Sequence, residues 1–300
     1  MRPLARHLAA CFALACAASV SPAIASTGHA VHAPAATDPL AALRYPITND
    51  ILPQLPGPDI SVEVFKPVRP DPARLAIVQH GRNGKADAPH MMPLIRAYLD
   101  SGYTVVAPNA AYSHYNDSTG DGFGFTIDQH VADMRRAVRW ARENAAMLGW
   151  DGKNFALAGH SMGGFAASFL AATRYADETV HVLTVAPFTS GTRQIEARRR
   201  APHGLDNLRK ELPHAAVEWP KHDIHQHVDK LTMPVSAIVG GRDTVTPATD
   251  VKAFFDDLPH PARFTIIPDE HHSLLGEGFY KTARQHIKFM DKQAAAKPAP

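Results

Sequence analysis

The sequence predicts an α/β fold with a mostly parallel β-sheet and helices on both of its faces. Strand-like and helical patterns alternate along the chain, which is typical of βαβ units. The clearest helical pattern covers residues 127–148, where apolar residues recur at spacings of three and four and Thr126 with Gln129 can cap the start. Strands buried on both faces are predicted by six short apolar runs: Leu75 to Val78, Tyr103 to Ala107, Phe155 to Ala158, Val180 to Ala186, Val235 to Val239 and Phe264 to Ile267.

Two further segments complete this plan. Residues 60–65 alternate apolar and polar side chains, so they predict an edge or half-exposed strand and bring the count to about seven. Residues 188–231 separate two strands and are rich in Arg, His and Pro. A plain connection of this length is unusual, and we therefore expect a partly helical, cap-like insertion over one end of the sheet.

Both ends of the chain differ in composition from the part between them. The first 25 residues have a cationic start, an apolar run from Leu8 to Val20 and an Ala-Ile-Ala site ending at Ala25, which are the parts of a secretory signal peptide. We expect a secreted or periplasmic protein cleaved near Ala25, with lipoprotein anchoring at Cys16 as the weaker alternative. The apolar run is too short for a stable membrane span. The remaining predicted boundaries are a flexible arm at 26–50, the folded domain at 51–291 and a disordered tail at 292–300.

Composition and charge exclude several classes of function. Hydrophobic residues make up 45% and charged residues 20% of the 300 residues, which is typical of a globular protein. Two of the 31 Lys and Arg lie in the leader, so the remainder balances the 29 Asp and Glu and gives no general attraction to nucleic acid. Both cysteines, Cys11 and Cys16, also lie in the leader. The mature chain would therefore have no disulfide, thiolate metal site or cysteine nucleophile.

A glycine-flanked serine follows the apolar run that ends at Ala158. The pentapeptide from Gly159 to Gly163 is Gly-His-Ser-Met-Gly, and a helical pattern begins directly after it. A tight turn between a strand and a helix would hold the Ser161 hydroxyl above the sheet, at the positive end of the helix. A structural turn without chemistry is the alternative, but this setting favours Ser161 as a nucleophile.

A serine nucleophile needs a base that takes its proton and an acid that orients the base. Asp243 follows the strand at 235–239 and would lie at the same edge of the sheet as Ser161, although a turn or helix-capping aspartate is the alternative. Two adjacent histidines follow the last strand. We prefer His272 as the base because His-Ser-Leu leads into a helix there, and His271 is the alternative because neighbouring side chains in a loop diverge.

A His-Gly turn after the strand at 75–79 could form an oxyanion hole. Such a turn exposes backbone N–H groups, and we predict that the amides of Arg82 and Met162 bind the negative oxygen; an ordinary glycine turn is the alternative. The loop at 112–117 follows the predicted strand at 103–107 and carries aromatic side chains. These side chains are explained equally well by packing at the surface and by a substrate pocket. The possible lining residues of a substrate pocket are His80, Gly81, Tyr112 and His160.

Eighteen histidines raise the question of a metal site. The densest cluster is His222, His225 and His227, but no single helix or strand presents all three on one face, and neither a cysteine nor a carboxylate pair flanks them. We therefore predict a solvated insertion and no metal site. The basic run at 198–200 predicts a solvated helix face, with contact to an anionic substrate as the alternative.

Together these motifs resemble those of the α/β-hydrolase superfamily in its order Ser, Asp, His. The resemblance covers about residues 60–290 and implies a sheet of eight strands, of which the first antiparallel pair would be trimmed here. Within the superfamily, the dienelactone-hydrolase and lysophospholipase-like esterases are most similar. The motifs are Gly-His-Ser-Met-Gly-Gly at 159–164, Gly-Gly-Arg-Asp-Thr-Val-Thr-Pro at 240–247, His-His-Ser-Leu-Leu at 271–275 and His-Gly-Arg-Asn-Gly at 80–84.

The sequence thus leads to the hypothesis of a secreted serine hydrolase that cleaves a small-molecule carboxylic ester through an acyl-enzyme on Ser161. This chemistry needs no cofactor. A peptidase or amidase with the same triad and a non-catalytic binding protein on the same fold are the alternatives. The sequence predicts no nucleic-acid partner and leaves the oligomeric state open.

Overall fold

The computed structural model of the chain describes residues 41–68 and 74–296. Its strands are β1 Leu43–Ile47, β2 Ile60–Phe65, β3 Leu75–Gln79, β4 Thr104–Asn109, β5 Phe155–His160, β6 Thr179–Val185, β7 Val235–Gly240 and β8 Pro261–Ile267. Its α-helices are α1 Met92–Leu99, α2 Ile127–Glu143, α3 Ala145–Leu148, α4 Met162–Thr173, α5 Gly191–Arg200, α6 Gly204–Glu211, α7 Ala215–Glu218, α8 Ala248–Asp256 and α9 Glu277–Ala296. Short 3₁₀ helices lie at Gly122–Gly124, Trp219–Lys221 and Ile224–Lys230.

The strands form one sheet in the order β1-β2-β4-β3-β5-β6-β7-β8. β2 is antiparallel to both of its neighbours. The six strands β3 to β8 are parallel to one another. The predicted mostly parallel sheet is therefore confirmed. Because the carboxyl ends of parallel strands meet at one edge, the loops after β3, β5, β7 and β8 come together there.

Two hydrophobic layers cover the faces of the sheet. β3 shows the division, since Leu75 and Ile77 belong to the layer that contains α2 and α4, whereas Ala76 and Val78 belong to the layer that contains α1 and α9. Alternate side chains of a strand point to opposite faces, so a strand covered on both sides must be apolar throughout. This is why most of the predicted strands appear as continuous apolar runs. The prediction is wrong for β8, which lies at the edge of the sheet, where none of its residues is fully buried and Ile266 is 45% exposed.

The first two strands differ from the sequence prediction. β1 lies within residues 26–50, which were predicted to be a flexible arm, and its pairing with β2 brings the sheet to eight strands. Its pattern is weak because it contains Pro46 and because Ile47 alone among its residues is fully buried. β2 was predicted to be an edge or half-exposed strand, yet it pairs with β1 on one side and β4 on the other, and all six of its residues are buried. The polar Glu63 of β2 is compensated there by Arg44, 2.6 Å away.

The long helical pattern at 127–148 is divided into α2 and α3. Thr126 caps α2 as predicted, with its Oγ accepting a hydrogen bond from the Gln129 amide at 3.1 Å. Asn144 then leaves the helical conformation, and its side-chain amide donates to the Trp140 carbonyl at 2.9 Å. This hydrogen bond competes with helix continuation and ends α2 at Glu143.

Residues 188–231 lie between β6 and β7 and contain α5, α6, α7 and two 3₁₀ helices. At the other end of the chain, α9 continues to Ala296, so residues 292–296 of the predicted tail are helical. The predicted signal peptide, its cleavage site at Ala25 and the alternative anchor Cys16 lie outside the described residues. Over 41–68 and 74–296, no helix is long and apolar enough to cross a membrane.

Candidate active site

Ser161 lies in a strained turn between β5 and α4. Its backbone has φ 54° and ψ −119°, a region that non-glycine residues rarely adopt and that costs free energy. The flanking glycines make this turn possible, because a Cβ on Gly159 would lie 2.3 Å from the Gly163 carbonyl carbon, and a Cβ on Gly163 would lie 2.2 Å from the Gln79 oxygen. The predicted sharp turn is therefore present, and no side chain fits at either glycine.

Backbone hydrogen bonds hold this turn in place. The Ser161 amide donates to the Val185 carbonyl at 2.9 Å, and the Ser161 carbonyl accepts from the amides of Gly164 and Phe188 at 3.0 and 3.1 Å. These bonds connect the turn to the end of β6 and to the start of the insertion. The strained conformation is thus fixed by its surroundings.

His272 and Asp243 form a direct pair. His272 Nδ1 lies 2.9 Å from Asp243 Oδ2, and the Asp243 side chain has no exposed surface. His271, the alternative base, is exposed to solvent and lies outside the cavity that contains Ser161. The structure therefore brings His272, rather than His271, together with Asp243.

Several donors keep Asp243 ionised. Burial acts to raise its pKa, but hydrogen bonds and charge from His272 and hydrogen bonds from Thr246 outweigh burial and lower the pKa. Oδ1 accepts from the amides of Val245 and Thr246 at 2.8 and 2.9 Å, and Oδ2 accepts from the Thr246 hydroxyl at 2.8 Å. Thr246 was not among the predicted site residues. The signal for its role is the Asp-x-x-Thr spacing, at which an aspartate can accept from the amides that follow it.

Ser161 and His272 line the same cavity of about 330 Å³. Within the described part of the chain, the Ser161 hydroxyl makes no hydrogen bond with the His272 ring. Catalytic hydrogen bonds are often long or poorly aligned in ligand-free structures. The arrangement therefore places a serine hydroxyl and an imidazole held by a carboxylate in one cavity, without a hydrogen bond between the hydroxyl and the imidazole.

The predicted oxyanion residues border this cavity. Both Arg82 and Met162 line it, and among the described residues neither backbone amide donates a hydrogen bond to the protein. Gly81 lies directly against the nucleophile, since a Cβ there would be 2.9 Å from Ser161 Cβ. Stabilisation of a developing oxyanion requires N–H groups that are not already used, and Arg82 and Met162 each have one.

Two of the four predicted pocket residues lie elsewhere. His80 is buried beneath the turn, where Nδ1 donates to the Gly81 carbonyl at 2.6 Å and Nε2 accepts from the Ala110 amide at 3.0 Å. Both ring nitrogens are therefore used by the backbone, and burial lowers the His80 pKa to about 4. Tyr112 packs against Gly120 and Gly124 and does not line the cavity. A histidine or tyrosine after a strand has the same pattern in the sequence whether it faces a ligand or supports a loop.

His160 does line the cavity, and it also contacts the candidate base. Its Nε2 donates to the His272 backbone carbonyl at 2.8 Å, and its ring centroid lies 4.7 Å from those of both His272 and His90. Burial, together with the positive charges that His272 and His90 can carry, lowers the His160 pKa well below its ordinary value. A neutral His160 with its proton on Nε2 thus anchors the loop that carries His272.

Comparisons with known proteins identify the fold that carries these residues. The BD-FAE family model matches residues 69–198. Among solved structures, Est1E from Butyrivibrio proteoclasticus with ferulic acid bound has a TM-score of 0.65 and 19% identity, covering 80% of this chain and 98% of its own. The Pyrococcus furiosus esterase Pf2001 has a TM-score of 0.61 and 19% identity, covering 84% and 90%. The α/β hydrolase GrgF from Penicillium sp. sh18 has a TM-score of 0.65 and 18% identity, covering 85% and 100%. The chain has the α/β-hydrolase fold.

No curated protein matches the sequence. The predicted resemblance to the α/β-hydrolase superfamily is confirmed at the level of the fold, with all eight strands present rather than a trimmed set. The narrower resemblance to dienelactone-hydrolase and lysophospholipase-like esterases stays a prediction. In this fold the candidate residues follow β5, β7 and β8 at one edge of the sheet, as their order in the sequence predicts.

The insertion supplies part of the cavity wall in this α/β-hydrolase fold. Gln194 and Arg198 of α5 line the cavity together with Trp219, and the Arg198 guanidinium lies 4.9 Å from the Trp219 ring centroid. Burial and the neighbouring Arg82 lower the Arg198 pKa. Arg198 was predicted to lie on a solvated face, and it is instead half-buried, whereas the two arginines that follow it are exposed. Nothing in the local sequence shows which of three consecutive arginines turns inward.

The three clustered histidines at 222–227 of the insertion do not converge. His225 Nδ1 lies 2.6 Å from Asp257, and the His227 ring packs against Phe169 with centroids 5.1 Å apart. His222 instead packs against Phe165 and faces Glu218. The triplet considered in the sequence therefore does not form a shared ligand set.

Proposed function

We propose that the protein is a serine hydrolase that cleaves carboxylic esters of small molecules. The proposal depends on one observation above all, the hydrogen bond between His272 and the buried Asp243 at the cavity that also holds Ser161. It is supported by the strained turn at Ser161, because strain of this kind persists where the surroundings enforce it and is concentrated at active sites.

In the proposed reaction, Ser161 Oγ attacks the ester carbonyl carbon while His272 Nε2 takes the hydroxyl proton. Asp243 keeps the other proton on Nδ1 and stabilises the imidazolium that forms. The amides of Arg82 and Met162 donate to the carbonyl oxygen as it becomes negative. The ester C–O bond then breaks, His272 returns its proton to the leaving alcohol, and an acyl-enzyme remains on Ser161.

Water completes the cycle. His272 takes a proton from water, the hydroxide attacks the acyl carbonyl, and the proton returns to Ser161 Oγ as the acid leaves. The scheme requires a hydrogen bond between Ser161 Oγ and His272 Nε2, a contact that in many enzymes becomes aligned only when substrate binds. No cofactor has a step in this scheme.

Ser161→Ala tests the proposal. Hydrolysis of p-nitrophenyl acetate should fall to the background rate, while the thermal unfolding midpoint stays within about 2 °C because the change is a single oxygen atom. Ser273→Ala is the matched control, since Ser273 lines the same cavity beside His272, and this variant should retain its activity. A fluorophosphonate probe should label Ser161 by mass spectrometry. Retained turnover or labelling in Ser161→Ala would remove the serine from the mechanism.

A second comparison separates ester from amide hydrolysis. An aminoacyl p-nitroanilide requires protonation of a poorer leaving group, and we expect it to react far more slowly than the p-nitrophenyl ester of the same acid. The similarity to esterases of known structure supports this order. Equal or faster anilide cleavage would instead assign the peptidase alternative.

We also propose that the protein is exported and cleaved after Ala25. The support is the cationic, apolar and small-residue order of residues 1–25. N-terminal sequencing of the protein recovered from the periplasm or the medium should begin at Ser26. Recovery in the cytoplasm with an intact leader would contradict export, and a lipid-modified cysteine at the N-terminus would assign the anchored alternative.

A further inference from the structure

Three metal-ligating side chains meet at the start of α2, away from the triad. His222 Nε2 lies 3.1 Å from Glu218 Oε1 and 3.7 Å from Asp128 Oδ1. All three atoms lie within 4.8 Å of one another. Asp128 belongs to α2, whereas Glu218 and His222 belong to the insertion, so the cluster joins two separate parts of the chain.

The feature of this cluster that points to a bound ligand is the Nε2 atom of His222. The residue is only 9% exposed, and its Nε2 makes no hydrogen bond within the described structure, although it faces both carboxylates. Other buried ring nitrogens among the described residues also lack a hydrogen bond, but His222 Nε2 differs from them because two carboxylates lie within 4 Å of it. The ring edge packs on Phe165, with centroids 5.8 Å apart, which fixes the direction of Nε2.

The spacing of the ligand atoms fits an ion between them. Zn²⁺ holds nitrogen and oxygen ligands at about 2.0–2.2 Å, so two of its ligand atoms are separated by roughly 3–3.6 Å in tetrahedral or octahedral geometry. The distances of 3.1 and 3.7 Å from His222 Nε2 require little adjustment. The Asp128 side chain is 82% exposed, so it can move by the necessary few tenths of an ångström, and water can fill the remaining positions.

The surroundings of Glu218 are those of an oriented ligand. Its Oε1 accepts hydrogen bonds from the Ile127 amide at 2.6 Å and from the Asp128 amide at 3.4 Å, both at the start of α2. Hydrogen bonds of this kind hold a metal-binding carboxylate in position. The two carboxylates supply negative charge that a divalent cation would balance.

We propose that Asp128, Glu218 and His222 form a binding site for a divalent transition-metal ion of the Zn²⁺ type. Imidazole and carboxylate ligands together suit such ions. Trp219 lies between two of the ligands in sequence and lines the catalytic cavity. A bound ion would therefore connect one wall of that cavity to α2, with a structural role and no part in the chemistry at Ser161.

Titration of the EDTA-treated, dialysed protein with ZnCl₂ tests this site. Calorimetry should show a binding event with one ion per chain that is lost when Asp128 is replaced. The thermal unfolding midpoint should rise by roughly 5 °C once free zinc exceeds its dissociation constant about 100-fold. Asp128→Asn and His222→Gln should each abolish most of this rise. His225→Gln is the matched control, because His225 pairs with Asp257 outside the cluster and should keep the full rise.

Two outcomes would overturn the proposal. The first is a wild-type protein whose unfolding midpoint does not respond to zinc, which would leave an ion pair between His222 and Glu218. The second is a zinc response of undiminished size in Asp128→Asn, which would place the ion at other histidines. Asp128→Asn decides the question even where His222→Gln folds poorly, because the Asp128 side chain is exposed and its replacement leaves the core intact.

Discussion

An imidazole lies against a carboxylate in the candidate triad and again at the start of α2, and the two regions differ in how the carboxylates are held. At the triad, Asp243 is fully buried, and a 2.9 Å contact fixes His272 through Nδ1. At the start of α2, Asp128 is 82% exposed, and His222 Nε2 faces two carboxylates without a hydrogen bond to either. The same residue types therefore offer different chemistry.

Burial of the acid and the choice of ring nitrogen account for the difference. Because Nδ1 of His272 is held by Asp243, its Nε2 remains available on the side of the cavity, where a proton can be taken from a hydroxyl and returned. At His222 it is Nε2 that faces the carboxylates, and the open side lets water complete a coordination shell. The geometry at His272 suits reversible protonation, and the geometry at His222 suits metal ligation.

Asp243→Asn should break the first arrangement with the largest effect. The asparagine amide would donate to Nδ1 and favour the tautomer with its proton on Nε2, which cannot accept from Ser161. We expect kcat/KM for the p-nitrophenyl ester to fall by about 10³- to 10⁴-fold. The matched control is Asp257→Asn, which removes the exposed partner of His225 and should change kcat/KM less than twofold. Equal activity of the two variants would show that the Asp243–His272 contact has no catalytic role.

The sequence predicted the central features of the site because short-range rules determine them. A strand, a glycine-flanked serine and a helix in succession leave the chain one sharp turn, and Ser161 has the positive φ that this turn requires. Asp243 and His272 were found from their positions after β7 and β8, since parallel strands bring such positions to one edge. Here local pattern and topology point to the same residues.

Other features depend on contacts that no local pattern shows. β1 is an edge strand with a proline and one fully buried residue, so its apolar pattern is too weak to distinguish it from a loop. His80 resembles a pocket residue in the sequence, but the backbone uses both of its nitrogens. Asp128 and Glu218 are 90 residues apart, and only the packing of the insertion on α2 brings them together.

Two other buried histidines, His80 and His130, have no carboxylate partner among the described residues. They predict that the protein loses stability in acid. Burial lowers the pKa of His80 to about 4 and that of His130 to about 3, whereas the unfolded imidazole titrates near 6.5. Between these values the unfolded chain binds more protons, so stability falls as the pH falls from about 6.5 to 4. The contribution of His80 alone is on the order of 3 kcal/mol.

Urea unfolding at pH 7 and pH 4.5 measures this effect. The pKa of Asp243 is lowered, so its own contribution is lost only as the pH falls below the ordinary aspartate range and does not overlap with this window. His80→Gln should reduce the difference in unfolding free energy between the two pH values. His271→Gln, at an exposed position, should leave that difference unchanged. An undiminished pH difference in His80→Gln would contradict the assignment of the titrating group.

Substitution of His160 should have the smallest effect. Whereas Asp243 holds the His272 ring, His160 holds the His272 backbone. His160→Phe keeps a ring between His90 and His272 but removes the N–H that donates to the His272 carbonyl. One hydrogen bond contributes about 1 kcal/mol, so we expect kcat to fall by about fivefold while KM changes little. His160→Gln restores an N–H donor and should recover part of kcat. A loss of stability without a loss of kcat in the folded protein would make His160 a packing residue, and the triad would then keep its alignment through Asp243 alone.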